Sequence, residues 1–132
     1  MILIDSNVLL DLGDEKSEWH GWSVATLASV ADETELVINP IIYAEASIRF
    51  ASPALFDDAF PPEDYLRRAI PFSAAFLAGK AHTQYRLRGG ARSATLPDFF
   101  IGAHALVASY AILTRDTRRF KRYFPSVDLI SP

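Results

Sequence analysis

The chain has 132 residues, half of them hydrophobic and 22% charged, with no cysteine and a formal net charge of −3. That length suits a single domain, 1–132, with one sizeable core, and the composition excludes both a disordered chain and a disulfide or thiolate-metal framework. Asp5 comes too early for a signal peptide, and the longest uncharged stretch, 99–114, falls short of the roughly 20 apolar residues that span a bilayer.

Ile2-Leu3-Ile4 is a short apolar run that reads as a strand. A helix follows over about 19–31, closed by Asp32-Glu33-Thr34, and Leu36-Val37-Ile38 reads as a second strand. Asn39-Pro40 is a good helix start, with Asn as cap and Pro in the first turn, and that helix should run to about Phe50. The stretch 52–72 carries Pro53, Pro61, Pro62 and Pro71 and should divide into short helical pieces. Ser73 can cap a helix that ends near Gly89-Gly90. Pro97-Asp98 opens another, apolar on most faces and therefore central. A strand over 111–114, a short helix over 117–123 and a last strand over 127–130 complete the pass. Such alternation predicts a three-layer α/β/α sandwich around a short, mostly parallel sheet, with ligands beyond the carboxyl ends of the strands.

Four acids sit where ordinary folding does not favour them. Asp5 and Asp116 each end an apolar strand, Asp98 lies in a first helical turn, and Glu45 shares an apolar stripe with Ile41 and Ile48. Charged groups are rarely buried without a partner. Two carboxylates about 4 Å apart repel by roughly 4 kcal/mol at an effective dielectric near 20. A shared divalent cation would resolve the conflict, and all-oxygen ligands suit Mg²⁺ or Mn²⁺. A water activated by such an ion is a ready nucleophile for a phosphodiester.

In order along the chain, Asp5-Ser6-Asn7-Val8-Leu9-Leu10-Asp11, a mid-chain Glu45, Leu96-Pro97-Asp98-Phe99-Phe100-Ile101-Gly102-Ala103-His104-Ala105 and Leu113-Thr114-Arg115-Asp116 resemble the PIN-domain ribonucleases. The size and the long motifs look most like the bacterial VapC-type toxins of toxin–antitoxin pairs. The resemblance implies a PIN-like fold and a Mg²⁺- or Mn²⁺-dependent endoribonuclease of the cytoplasm. It also implies Asp5, Glu45, Asp98 and Asp116 as metal-holding catalytic acids, and Ser6, Asn7 and Thr114 as the groups that orient them. RNA as substrate, a cognate antitoxin and a homodimer are the implied partners, with no membrane. Many members carry an acid a few residues after Asp116, where this chain has Arg118-Arg119.

Charge divides along the chain: 13 acids and 4 bases in 1–79 give −9, whereas 3 acids and 9 bases in 80–132 give +6. Arg86, Arg88 and Arg92 precede Asp98, while Arg115, Arg118, Arg119, Lys121 and Arg122 surround and follow Asp116. Of these, Arg86, Arg88, Arg92 and Arg115 are the candidates for holding RNA phosphates beside the acids. Asp11 and Asp14 read as solvated, and His104 as a packed core histidine. Leu55, Phe56, Phe60, Tyr65, Leu66 and Phe72 offer apolar bulk for a dimer with a peptide-binding groove. A PIN-like module without turnover, binding RNA or protein, is the alternative. An Asp-nucleophile phosphatase fits poorly because Asn7 stands where its second Asp would be.

Overall fold

The computed structural model describes residues 1–89 and 94–132. Its first half contains β1 (Ile2–Ile4), α1 (Ser6–Leu12), α2 (His20–Ala31), β2 (Leu36–Ile38), α3 (Pro40–Ser47), α4 (Pro53–Ala59) and β3 (Tyr65–Arg67). Then follow α5 (Phe72–Leu87), α6 (Leu96–Ala108), β4 (Ala111–Leu113), a 3-10 turn at Thr117–Arg119 and β5 (Leu129–Ile130). The strands form one sheet in the order β3-β2-β1-β4-β5, and every neighbouring pair is parallel. Every residue of β1 and β2 is buried, so both faces of the central sheet are covered by helices. The fold is thus α/β, with a sheet that is wholly rather than mostly parallel.

Strand order positions the site. The chain steps outward from β1 to β2 and β3, then returns to place β4 on the other side of β1. The reversal opens a crevice beyond the carboxyl ends of β1 and β4, the usual ligand position in such sheets. Ile4 pairs with Leu113, so Asp5 and Thr114 leave the sheet side by side at that crevice.

Several predicted elements shift. Residues 6–12 form α1, a helix missing from the sequence-based reading because its apolar run is short. Helix α3 stops at Ser47 rather than Phe50, and α5 starts at Phe72 with Pro71, not Ser73, as its cap residue. The expected helix over 117–123 is a single 3-10 turn. The largest miss is β3, inside the stretch expected to be helical pieces. Its three residues pair with Leu36, Val37 and Ile38, supplying an edge strand. Phe56 and Phe60 are buried, and with Phe50, Tyr43 and Tyr65 they make an aromatic cluster under that edge. Most of the bulk assigned to a dimer groove therefore completes this chain's own core.

Helix α6 crosses the middle of the molecule, and its Gly102 has a steric reason. A Cβ there would lie 2.3 Å from the ring of buried Phe124. Gly102→Ala should cost about 1–3 kcal/mol through overpacking, read as a drop of several degrees in melting temperature. Unchanged melting would mean that Phe124 is free to move. Among the described residues, no helix is long and apolar enough to cross a membrane.

Candidate active site

Asp5 is fully buried at the end of β1 and caps α1. Its Oδ1 accepts the Ser6 N–H at 2.8 Å, and its Oδ2 accepts the Thr114 hydroxyl at 2.8 Å. That hydroxyl accepts in turn from Asn7 Nδ2 at 3.3 Å and from the Asp116 N–H at 3.0 Å. Its one proton and two lone pairs are all used, which fixes the Asp5 carboxylate. Asn7 also accepts the Arg115 N–H at 3.4 Å, tying the loop after β4 to α1.

Asp98 is buried in the first turn of α6, where its Oδ2 accepts the Thr95 N–H at 2.9 Å. Oδ1 is left pointing into the crevice. Glu45 arrives from α3, whose start is held by buried Asn39: its Oδ1 accepts the Ile42 N–H at 2.9 Å. The Asn39 amide lies 3.1 Å from Nδ1 of buried His104, which confirms His104 as a core residue. Burial pushes the His104 pKa down, as expected for a neutral ring.

A guanidinium stands between the two buried acids. Arg119 donates from Nη2 to Asp5 Oδ2 and from Nη1 to Asp98 Oδ1, the latter at 2.7 Å. Its side chain is only 18% exposed. Burial works to lower its pKa, but Asp5 and Asp98 more than offset that, so it stays charged. Arg119, one of a run of bases in the sequence, is the centre of the acidic cluster.

Glu45 completes the group, accepting the Ser6 hydroxyl at 3.1 Å. Burial raises its pKa first of all and the negative Asp5 and Asp98 add to that, against the Ser6 bond and Arg119. A carboxyl with a raised folded-state pKa stabilises while protonated and loses that contribution as pH rises through the folded pKa. Glu45→Gln in EDTA should therefore raise the melting temperature at neutral pH by a few degrees at most. The gain should vanish below the ordinary Glu range, where the native carboxyl is protonated in both states. A constant difference across pH would overturn this assignment.

The Asp116 carboxylate shares no described hydrogen-bond partner with the other three; only its backbone reaches Thr114. It caps the 3-10 turn, accepting the Arg118 N–H at 3.1 Å and Arg118 Nε at 3.2 Å. Although partial burial works against it, those Arg118 contacts hold its pKa low. Arg86 and Arg88 are exposed at the end of α5, and Arg92 lies outside the described residues. Arg115 is tied to a carboxylate through Nε, which donates to Asp11 Oδ2 at 2.9 Å, and its side chain is about one-third exposed. Asp11, read as solvated, is buried and also accepts the Ser17 and Ser23 hydroxyls. Arg118, Arg119, Arg122, Asp116, Tyr85 and Tyr123 line a cavity of about 180 Å³ beside the cluster. A larger one, about 720 Å³, opens at the amino ends of β2 and β3 and is lined by none of Asp5, Glu45, Asp98 and Asp116.

As the side chains stand, they do not fit a divalent ion. The carboxylate chemistry is right for Mg²⁺ or Mn²⁺, but Arg119 fills the space that Asp5 and Asp98 would offer. Among the described residues, no three His, Cys, Asp or Glu side chains gather as a metal site.

No protein-family model matches the sequence, and no curated protein does. Solved structures match over essentially the whole chain. The VapBC2 complex from Rickettsia felis, bound to a promoter DNA fragment, aligns at TM-score 0.74 and 17% identity, covering 100% of this chain and 99% of that one. VapBC-1 from nontypeable Haemophilus influenzae aligns at 0.73 and 18%, covering 99% and 98%. FitAcB from Neisseria gonorrhoeae aligns at 0.72 and 19%, covering 98% and 96%. Identity at this level speaks for architecture alone: the chain has the VapC-like PIN fold found in these toxin–antitoxin structures.

Proposed function

We propose that this protein is an endoribonuclease of the cytoplasm, the toxin of a toxin–antitoxin pair, that hydrolyses RNA phosphodiester bonds. The observation that carries the reading is the convergence of Asp5, Glu45 and Asp98 at the crevice of a toxin-like fold. Asp5 and Asp98 are the most firmly oriented acids. Glu45, with its raised pKa, suits proton transfer at the scissile phosphate. Arg86, Arg88, Arg118 and Arg122 supply the cationic rim for the RNA backbone. A homodimer and a cognate antitoxin belong to the same proposal. For them α5 offers exposed Phe72, Phe76 and Leu87, rather than the buried Phe56 and Phe60.

One observation favours a second reading, a PIN-like RNA- or protein-binding module without turnover: Arg119 already neutralises the two buried acids. Incubation with structured RNA and millimolar Mn²⁺ separates the two. The nuclease reading expects internal cuts leaving a 5′-phosphate and a 3′-hydroxyl. Products ending in 2′,3′-cyclic phosphate would show the 2′-hydroxyl as nucleophile and overturn it; binding without cuts would establish the module.

A further inference from the structure

The four carboxylates were expected to need an external cation, yet the chain supplies one. The Arg119 fork gives one arm to Asp5 and the other to Asp98, using the two oxygens that face the crevice. A divalent ion bound at about 2.0–2.1 Å to those oxygens would overlap the guanidinium. The two cations therefore exclude one another. We propose that Arg119 is the resident cation of the acidic cluster, and that a divalent ion gains Asp5 and Asp98 only by displacing it.

Two features make the exchange reasonable. Arg119 Nε is buried with no hydrogen-bond acceptor among the described residues. Beyond the two carboxylates the guanidinium has the face of the Phe120 ring, 5.6 Å away, and its third donor lacks the compensation a settled structural arginine receives. Arg119 also lines the cavity of about 180 Å³ that it shares with Asp116. A displaced guanidinium has room there and a carboxylate to meet. The fold would then hold a charge-satisfied state without metal and an acid-exposing state with it.

This rests on the proposed function only for the class of competing ion, and the measurement that decides it, the Mn²⁺ response, needs no RNA. Thermal scans of wild type and Arg119→Gln would be run in EDTA and across a Mn²⁺ titration. In EDTA the variant should melt several degrees lower, because Asp5 and Asp98 then face each other without a cation. The Mn²⁺ concentration giving half-maximal stabilisation should fall about tenfold or more, a coupling of ordinary size for linked sites. Should Arg119→Gln fail to fold, Arg119→Lys keeps a charge but cannot bridge both acids with a planar fork. It should still bind Mn²⁺ more tightly than wild type. Equal Mn²⁺ response in wild type and the folded variant overturns the proposal. Tighter Mn²⁺ binding with no RNA cleavage would leave it standing and remove the nuclease reading; RNA cleavage with unchanged Mn²⁺ binding would do the reverse.

Discussion

Asp98→Asn should lower RNA cleavage by roughly a hundredfold or more while the protein stays folded, the usual scale for losing a group that acts in the transition state. Asp98 is the better test than Asp5 because its two oxygens have separate duties. Oδ2 fastens the start of α6 through Thr95, and Oδ1 faces the crevice and Arg119. An amide can keep one of these acceptors but turns the other into a donor. The stability cost should stay near 1–2 kcal/mol, that of one compromised buried hydrogen bond. Asp5→Asn would disturb the α1 cap and the Thr114 network as well, mixing folding with function. RNA affinity of the Asp98 variant should equal or exceed that of wild type, since a negative charge has left the crevice. Arg86→Ala should weaken binding and flatten its salt dependence by removing a phosphate contact. Undiminished cleavage by Asp98→Asn would remove Asp98 from the site.

What the sequence conveyed about the fold follows from hydrophobic pattern. Ile2-Leu3-Ile4 and Leu36-Val37-Ile38 are buried throughout, and Ala111-Ile112-Leu113 at all but its first residue; fully apolar runs of this kind are legible as central strands. Tyr65-Leu66-Arg67 is an edge strand of only three residues, half-buried, within a proline-rich stretch. Its strand character comes from pairing with β2 and not from local preference, so it was invisible. Helix α1 was missed for a similar reason. Seven residues make a marginal helix by themselves, and the Asp5 cap together with packing against α2 and α3 holds this one in place.

For the site, Asp5, Glu45 and Asp98 were legible because an acid in apolar sequence is a conflict visible without coordinates. Ser6 and Thr114 were legible as their neighbours. Arg119 was not, since an arginine in a run of bases reads as surface. Two signs were available: Arg118-Arg119 stand where many members of the resembled family carry an acid, and Arg119 precedes Phe120, whose full burial turns the adjoining turn inward. Asp116 stands apart from those three acids: its carboxylate closes the turn that delivers Arg119, and it lines the cavity that Arg119 also lines.

Asp11 carries the largest stability effect expected from a residue outside the acidic cluster. Its buried carboxylate accepts Ser17 Oγ at 3.1 Å, Ser23 Oγ at 3.0 Å and Arg115 Nε at 2.9 Å. It thereby joins the end of α1, the start of α2 and the loop after β4 that carries Thr114. Asp11→Ala would leave the fully buried Ser23 hydroxyl without that acceptor. Arg115, being about one-third exposed, can turn toward water and recover part of the loss. The expected cost is about 2–4 kcal/mol, or a fall in melting temperature of roughly 10 °C for a chain of this size. Arg115→Ala alone should cost less, and the double variant less than the sum of the two, because both remove one shared contact. Purely additive effects would show that Arg115 and Asp11 are adjacent without being coupled. Asp11→Ala melting with wild type would show that packing and the Asn7 hydrogen bonds hold the α1–β4 junction without Asp11.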